Sequence, residues 1–496
     1  MHSPLRPWIL SIIFLGSFFF HLSLISKGPV TVDCLNLTVA SQATLESNQL
    51  HYLPGAGYPL MVLLGSAFIA LGKLLGPTDP IISVNFISIL FSSIAVLVFY
   101  LLVETICDPI IAALASLLLL LNPLFIDVST YGISHAPALC FLFLGMLSLL
   151  RFQTAGNKTN LLLSALYLGL MGAVRLQDCI VTFPAVCFLY WAGLKENGLK
   201  NKARSFLLFI SIILLIIVLF HLPYFISDQT GYSHQARDYW KLNSMRSPSS
   251  GIFILSLCYL EKIFNFNIIG ILCFAVSLYY TAKFNKKLLF FILLWSAVPL
   301  IVYGNITTSS PRFFTILVPA IVVPVSIFLG TMLKHKKMLW KIIVPVCYLM
   351  LLLRPLLNIY PTFSYRHHHR AITDFYLWVK QSTPPHAVII CCDDGPFIAY
   401  YAKRQTLVRP VAVRRRLELD EWNVFQRTLD KILNDKGQVY ISEWTLIAND
   451  AYQEFQHLLR QHYELIEVGK KPMQVWYNTP LESDVWECRL YRIKAK

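Results

Sequence analysis

Apolar residues along this chain gather into long runs that short polar loops separate. Eleven of these runs are near or somewhat below the roughly 20 residues that cross a bilayer as a helix. The pattern therefore predicts a mostly α-helical, polytopic membrane protein of about eleven transmembrane helices. The runs cover residues 8–26, 81–102, 110–126, 134–150, 161–175, 179–194, 205–226, 264–282, 288–303, 313–333 and 342–360.

The basic loops orient these helices, because lysine and arginine mark cytoplasmic helix ends. Counting crossings from these loops gives a cytoplasmic amino terminus and an external carboxy-terminal tail. It also leaves residues 27–80 outside at both ends, as a large first external loop. A twelfth apolar run, 58–75, is then predicted to lie in the interface or to re-enter. The loops are Lys195–Arg204, Lys283–Lys287, Lys334–Lys341 and Arg151–Asn160.

The first run also resembles a signal peptide, since Arg6 precedes it. No small-x-small cleavage site follows, and Trp8–Ile25 is about as long as a bilayer crossing. We therefore interpret it as an uncleaved first helix.

The composition fits a membrane protein. The chain has 496 residues, of which 56% are hydrophobic and 14% charged, whereas soluble domains are about 25% charged. The first 360 residues hold 23 basic and 11 acidic residues, so most of the net charge of +15 belongs to membrane loops. This distribution argues against nucleic-acid binding. The eleven cysteines lie mostly in apolar runs and are interpreted as small buried side chains.

The last part of the chain has a different character. Residues 361–496 alternate short amphipathic and β-type segments, which predicts a small external α/β domain after a transmembrane domain of residues 1–360. Helices are expected at 367–382, 421–434 and 449–462, and strands at 387–392, 438–442, 463–468, 475–477 and 488–493.

The charged residues at the external helix ends are the candidates for chemistry. Asp33 is the first carboxylate after the first run, and a carboxylate within reach of a hydroxyl acts as a general base. Arg175 lies between two apolar runs with Asp178 three residues on. Two interpretations stay open for this pair: an ion pair that solvates itself, or a phosphate site that uses the guanidinium. Arg312 either anchors a helix at the interface or binds phosphate.

Further polar residues fall in the same external loops, and we expect some of them to contact substrate. The three consecutive histidines at 367–369 cannot share one helix face, so a metal site there is not expected. No cofactor is predicted with certainty, and a divalent metal is doubtful. The additional candidates are His51, Tyr52, Asp127, His135, His234 and Arg237.

The order of these features resembles a known superfamily. It consists of an aspartate after the first helix (Asp33), then HYLPGAGYPLMVLLG, then NPLFIDVSTYGISHAPAL, then GLMGAVRLQDCIVTFPA with Arg175. Over roughly residues 5–360 the chain resembles the polytopic, lipid-sugar-dependent glycosyltransferases of the C-type superfamily. It looks most similar to the bacterial branch related to aminoarabinose transferases and protein O-mannosyltransferases.

The resemblance implies roles for particular residues. Asp33 matches the family's catalytic base, and Arg175 matches the arginine after the fifth helix. Two acidic positions of the family differ here: Cys34 follows the base, and His135 stands where a second acid is usual, with Asp127 eight residues earlier as a substitute. These departures put metal involvement in doubt.

The implied reaction is an inverting transfer from a polyprenyl-phosphate sugar to a hydroxyl of a lipid, glycan or protein at the external face of the cell membrane. Asp33 takes the acceptor proton, and Arg175, Arg312 and His135 are expected to receive the leaving phosphate. Tyr52 and Tyr58 either stack on the sugar or anchor the interface, the second being favoured for Tyr58.

Two other classes of function compete with transfer. A lipid-linked sugar transporter would show two related halves and ionisable residues at mid-membrane, but the charges here lie at helix ends. A non-catalytic membrane scaffold is the third class, and it is favoured by the missing acids at Cys34 and His135.

Overall fold

The computed structural model describes residues 6–51, 53, 58–76, 78–193, 199–227, 268–304, 311–335, 338–410, 417–448, 453–474 and 485–496. Two compact units make up the chain. The described part of the first unit lies within residues 6–26 and 37–367, and that of the second within residues 27–36, 368–474 and 485–496. Each unit is treated separately below.

Helices build the first unit, and their order follows the apolar runs of the sequence. All eleven predicted runs coincide with helices. A short 3-10 helix, Pro311–Leu317, leads into α13. The helices are α1 (Arg6–Leu22), α2 (Val32–Ser47), α3 (Pro59–Leu75), α4 (Pro80–Ile106), α5 (Pro109–Leu120), α6 (Pro123–Ser129), α7 (His135–Ala155), α8 (Lys158–Val174), α9 (Leu176–Gly193), α10 (Leu199–Ser227), α11 (Ile268–Phe284), α12 (Lys286–Gly304), α13 (Val318–Leu333) and α14 (Met338–His368).

Six helical stretches among the described residues are long and apolar enough to cross a membrane, and a bent pair makes a seventh. α1, α3, α8 and parts of α11 and α14 are apolar but shorter, with 10–17 residues. These helices establish a multi-pass membrane protein, and the number of eleven crossings stays a prediction. The expected helix at 58–75 is present as α3; whether it crosses is also still a prediction.

The bent pair comes from a break that the sequence encodes. α5 and α6 meet at an angle of 65°. Between them, the Asn122 side chain accepts hydrogen bonds from the backbone N–H groups of Leu124 and Phe125, and Pro123 occupies the first position of α6. An Asn cap followed by proline is a strong helix start. The run predicted as one segment at 110–126 is therefore two helices.

Ion pairs show which helix ends of the first unit lie together. Arg6 at the start of α1 contacts Glu104 at the end of α4, with 2.7 Å between Nη2 and Oε2. Lys334 after α13 pairs with Asp108, which precedes α5. α1 and α4 are therefore antiparallel, as the crossing count requires. We call this end of the helices the basic end, because Ile106 at the end of α4, Gln153 near the end of α7 and Lys287 at the start of α12 line one cavity, which places the basic loops 151–160 and Lys283–Lys287 at this end.

The polar start of the predicted first loop contains a helix that the sequence analysis did not anticipate. α2 has 16 residues and buries Cys34 and Leu35 near its first turn. Residues 27–36 group with the second unit, and Gly28 lies close to Thr373 and Arg370 in that unit. The first residues of α2, up to residue 36, thus belong to the second unit, and the rest of the helix belongs to the first.

The second unit is a small α/β fold, as predicted. Its five-stranded sheet has the order β2-β1-β3-β5-β4, in which β1 pairs in parallel with β2 and β3, and β5 pairs antiparallel with β3 and β4. The elements are α15 (Ala371–Ser382), β1 (Val388–Cys391), β2 (Gln405–Val408), α16 (Leu419–Asn434), β3 (Val439–Ser442), α17 (Glu443–Ile447), α18 (Glu454–His462), β4 (Tyr463–Gln474) and β5 (Val485–Ala495).

The sequence missed β2 because its four residues are largely exposed and lack an apolar pattern. The expected strand at 475–477 and the start of the helix expected at 449–462 lie outside the described residues. Asp394, in the turn after β1, is fully buried and accepts hydrogen bonds from the Cys392 amide at 2.9 Å, Tyr376 at 2.9 Å and Thr445 at 3.1 Å. The turn that ends β1 is therefore held by a buried carboxylate.

Candidate functional site

Phe313 is the centre of a polar cluster in the first unit. Its ring lies 5.0 Å from the guanidinium carbon of Arg175, 5.9 Å from that of Arg312 and 5.8 Å from the ring centroid of His135. Cations are attracted to aromatic faces at such distances. The structure thereby brings together the three residues that the sequence proposed for phosphate binding. We call this set the Phe313 cluster.

Arg175 is held by an acidic partner and an aromatic hydroxyl. Its Nε lies 3.0 Å from Oδ2 of Asp178, and both side chains are only 2% exposed. The hydroxyl of Tyr303, at the end of α12, donates a hydrogen bond to the other oxygen of Asp178. Buried ions require partners of this kind. The ion-pair interpretation of Arg175 and Asp178 is therefore correct as a description of their contact.

The remaining face of Arg175 points to hydroxyl groups. Nη1 donates to Ser134 Oγ at 3.2 Å and to Tyr58 Oη at 3.3 Å, and Tyr58 in turn donates to Gln177 at 3.3 Å. Nη2 has no hydrogen-bond partner among the described residues. The pairing with Asp178 thus leaves the two N–H donors of Nη2 available, so the second interpretation of Arg175, a phosphate site, is compatible with the first.

Tyr58 adopts a strained backbone to reach this position. It precedes Pro59 at the start of α3 and has φ 48° and ψ 53°, in the left-handed region. Non-glycine residues there cost about 1–3 kcal/mol, and such strain concentrates at functional sites. The half-buried Tyr58 contacts Arg175 through its hydroxyl, and its role as an interface anchor stays a prediction.

His135 is the first residue of α7 and is 2% exposed. Neither of its ring nitrogens has a hydrogen-bond partner within the described part of the chain, and both Arg175 and Arg312 interact with it electrostatically. A buried imidazole with both nitrogens unsatisfied is costly. The arrangement fits a site whose missing partner is a polar, anionic ligand.

Arg312 connects the Phe313 cluster to a second buried ion pair. It interacts with the side chain of Tyr131, whose hydroxyl lies 3.5 Å from Asp127 Oδ2. Asp127 is paired with Arg366, with 2.7 Å between Oδ1 and Nη1. Burial raises the pKa of Tyr131, so its phenol stays protonated. Arg366 is thus the ionic partner of Asp127, which is only 2% exposed.

The loop before α7 is fixed by a buried amide. Asn85, on α4, donates to the Ser26 carbonyl at 2.8 Å and accepts from the Gly132 N–H at 2.7 Å. A side chain at Gly132 would lie 2.5 Å from Val84 Cγ1, so only glycine fits this close approach. These contacts position Ser134, which contacts Arg175.

The other predicted site residues lie elsewhere. Asp33 is exposed in the first turn of α2 and belongs to the second unit. His51 is exposed; its Nε2 lies 2.9 Å from Ser47 Oγ, and its backbone N–H donates to Thr44. Tyr52, His234 and Arg237 lie outside the described residues.

Sequence reasoning missed several members of the site. These members are Tyr303, Phe313, Ser134, Tyr131 and Arg366. Uncharged aromatic and hydroxyl residues carry no signal of their own in an apolar sequence. Arg366 did carry a sequence signal, because a charge near the end of a long apolar helix requires a partner.

The fold of the whole chain matches solved membrane enzymes. ArnT from Cupriavidus metallidurans bound to undecaprenyl phosphate matches with a TM-score of 0.61 at 12% identity, over 99% of this chain and 98% of that one. The oligosaccharyltransferase AglB from Archaeoglobus fulgidus, in complex with an inhibitory peptide and a dolichol-phosphate, matches with 0.59 at 14% identity, over 94% and 74%. The arabinofuranosyltransferase AftD from Mycobacteria matches with 0.53 at 12% identity, over 98% and 41%. The chain therefore shares its fold with these solved structures.

A family model adds a match to part of the sequence. The model described as dolichyl-phosphate-mannose-protein mannosyltransferase matches residues 59–224, from α3 to α10. No curated protein sequence matches the chain. The resemblance to the C-type superfamily, inferred from the sequence, is confirmed.

Proposed function

We propose that this protein is a membrane glycosyltransferase that moves a sugar from a polyprenyl-phosphate donor to a hydroxyl acceptor. One observation carries the proposal. Two arginines and a histidine from different segments of the first unit surround one aromatic ring, and buried nitrogen atoms of Arg175 and His135 have no partner among the described residues. Guanidinium groups are well suited to bind phosphate oxygens.

The comparisons support this choice of ligand. Solved structures with the same fold contain undecaprenyl phosphate or dolichol-phosphate. A lipid phosphate at the end of a bundle of membrane helices would keep its tail in the bilayer and its head at the Phe313 cluster. In the reaction, the acceptor oxygen attacks the anomeric carbon with inversion. The bond from that carbon to the phosphate oxygen breaks, and the phosphate leaves with the electron pair, stabilised by Arg175 and Arg312.

Asp33 is proposed as the general base that takes the proton of the acceptor hydroxyl. The sequence resemblance supports this role, and Asp33 is an exposed residue in the first turn of α2. A base must reach the hydroxyl that it deprotonates. The acceptor class, whether lipid, glycan or protein, would be decided by the parts of the chain near that hydroxyl.

Asp127 is proposed to position rather than to react. Its carboxylate is buried against Arg366, which leaves little room for a substrate hydroxyl or a metal ion. No group of three or more histidine, cysteine, aspartate or glutamate side chains suited to metal binding occurs in the described ranges. For orientation, we propose a cytoplasmic basic end and amino terminus, with residues 361–496 external.

The test separates donor binding from transfer. Purified protein is titrated with undecaprenyl phosphate and then assayed for sugar release from a polyprenyl-phosphate-sugar pool. Arg175→Lys is expected to weaken binding of the lipid phosphate by about tenfold to a hundredfold, because lysine lacks the forked donors. Arg151→Lys, an exposed arginine at the basic end, serves as its control.

Asp33→Asn is expected to retain lipid-phosphate binding and to lose about 10²- to 10⁴-fold in transfer. Glu46→Gln, an exposed carboxylate on the same helix, should transfer normally. Full transfer by Asp33→Asn would remove it as the base, whereas unchanged lipid binding by Arg175→Lys would remove the phosphate site.

A further inference from the structure

A second ligand site is suggested at the opposite end of the first unit. A cavity of about 200 Å³ lies between helices there. Its walls come from the ends of α4, α7 and α9, the beginning of α12, and Val323 of α13. The lining is mostly apolar, with Leu150, Phe188, Leu189, Phe291 and Ile292 among its residues. An apolar lining of this kind accepts apolar ligands.

The cavity runs from an exposed, polar mouth to a buried floor. Asn285 and Lys287 line the mouth and are exposed, and the Lys287 ammonium donates to the Ala192 carbonyl at 3.2 Å. Deeper residues, such as Val103 and Met146, are fully buried. The mouth adjoins the basic loops, since Lys283 and Lys286 are neighbours of Lys287 in the sequence.

Trp295 places a buried hydrogen-bond donor in the wall of the cavity. It lines the cavity and is 1% exposed, and its indole N–H has no hydrogen-bond partner among the residues described. A buried donor without a partner is destabilising. The occupant that removes this cost must bring a hydrogen-bond acceptor into an apolar space.

The positions along α12 define where that acceptor lies. Lys287 and Trp295 are separated by a helical rise of about 12 Å. Helical side chains lean toward the amino terminus, and the Trp295 ring packs on Phe291, one turn closer to the mouth, with ring centroids 5.4 Å apart. Lys287 leans in the same direction, so about 12 Å along the helix axis separates its ammonium from the indole, and the occupant must span that distance.

We propose that this cavity binds one diacyl glycerophospholipid with an anionic head group. Its phosphate would pair with Lys287, one ester carbonyl would accept from Trp295, and the acyl chain would fill the apolar part. A polyprenyl phosphate has a phosphate and an apolar tail as well, but it lacks an ester carbonyl. This site lies apart from the Phe313 cluster and does not depend on the proposed function.

Native mass spectrometry and tryptophan fluorescence test the proposal on the full-length protein in detergent. Phosphatidylglycerol with brominated acyl chains is titrated, because bromine quenches nearby indoles. The difference between wild type and Trp295→Phe isolates the Trp295 emission, which should be quenched saturably. In native mass spectra, Trp295→Phe should bind phosphatidylglycerol about fivefold more weakly, from the loss of one hydrogen bond.

Lys287→Gln should weaken phosphatidylglycerol binding about threefold to fivefold and bring it close to that of phosphatidylcholine. Lys286→Gln changes an exposed lysine outside the cavity and should bind as wild type. Ala192→Phe, at the mouth, should abolish the saturable quenching by blocking entry.

Equal affinities of wild type, Trp295→Phe and Lys287→Gln would refute the site, and so would a Trp295 emission that brominated lipid does not change. If undecaprenyl phosphate displaces phosphatidylglycerol at equal concentration, recognition of an ester carbonyl is wrong. These readouts need no glycosyl transfer, so they remain informative if the proposed function fails.

Discussion

Asp127 and Arg366 form a buried ion pair across 239 positions of the chain, with side chains 3% and 6% exposed. The contact joins the short helix α6 to the end of α14. Arg366 also lies over the ring of Phe363, and Phe363 packs with Leu24 and Ile126. One charge pair and a small apolar cluster thereby fix helices that are far apart in sequence.

Removing one partner of this pair should be much worse than removing both. Arg366→Met leaves the Asp127 carboxylate buried without its cation, at a cost of about 3–5 kcal/mol. Arg366→Met combined with Asp127→Leu should recover much of that loss. The measurement is the thermal unfolding midpoint of the purified protein in detergent.

Lys334→Met is the control, because it breaks the exposed pair with Asp108. Exposed pairs contribute about 0–1 kcal/mol. An Arg366→Met protein that unfolds no earlier than Lys334→Met would show that the Asp127 pair does not hold the helices.

Tyr303→Phe should weaken the binding of undecaprenyl phosphate beyond what its loss of stability explains. The variant removes the hydroxyl that donates to Asp178 and so frees the carboxylate that orients Arg175. We expect a loss of stability of about 1–3 kcal/mol and weaker binding of undecaprenyl phosphate.

The control for Tyr303→Phe is Tyr348→Phe. Tyr348 also donates one hydrogen bond, to the Leu114 carbonyl at 2.8 Å, but no described contact joins it to the Phe313 cluster. It should lose similar stability and bind lipid phosphate normally. Equal effects of both variants on binding would mean that Tyr303 acts only through folding.

Gly132→Ala should displace the loop that precedes α7. The added methyl group would meet Val84 Cγ1 at 2.5 Å and the Val84 backbone carbon at 3.1 Å. Overpacking of this kind costs about 1–3 kcal/mol, and the shift would move Ser134 from Arg175. Unfolding midpoints and undecaprenyl-phosphate binding measure the two effects.

Adding Val84→Ala to Gly132→Ala should restore part of the stability, because it removes the closer clash. Gly16→Ala in α1, where nothing lies within 4 Å, should be neutral. A Gly132→Ala protein as stable and as active as Gly16→Ala would contradict the close approach.

Asp394 should make the second unit sensitive to pH. Burial raises the pKa of its carboxyl above the ordinary value of 3.8, although hydrogen bonds from Cys392, Tyr376 and Thr445 oppose the shift. Since the folded pKa is the higher one, the stabilising contribution of Asp394 is complete below 3.8 and is lost as the pH rises through the folded value.

Hydrogen exchange of the β1 amides measures this contribution locally. Wild-type protection relative to Asp394→Asn should fall as the pH rises above about 4. The amide keeps one acceptor oxygen where the carboxylate has two, and it cannot ionise. A difference that does not change with pH would show that Asp394 does not titrate with folding.

The sequence by itself determined where the membrane helices lie and that the charges stand at their ends. Hydrophobic runs and basic loops indicate directly which segments lie in lipid. The free energy of placing an unpaired charge in lipid is several kcal/mol less favourable than that of placing an apolar side chain there. For the same reason the pair of Arg175 and Asp178 was visible, three positions apart in an apolar context.

Only the tertiary structure decided how these helix ends combine. Arg175, Arg312 and His135 all lie next to the ring of Phe313. Arg366 forms an ion pair with Asp127. Packing brings these residues together, although they are unrelated in the linear pattern. It also assigns residues 27–36 to the second unit. The contact partners of aromatic rings and hydroxyl groups cannot be identified from the sequence. The strength of their contacts depends on distance and orientation rather than on periodicity.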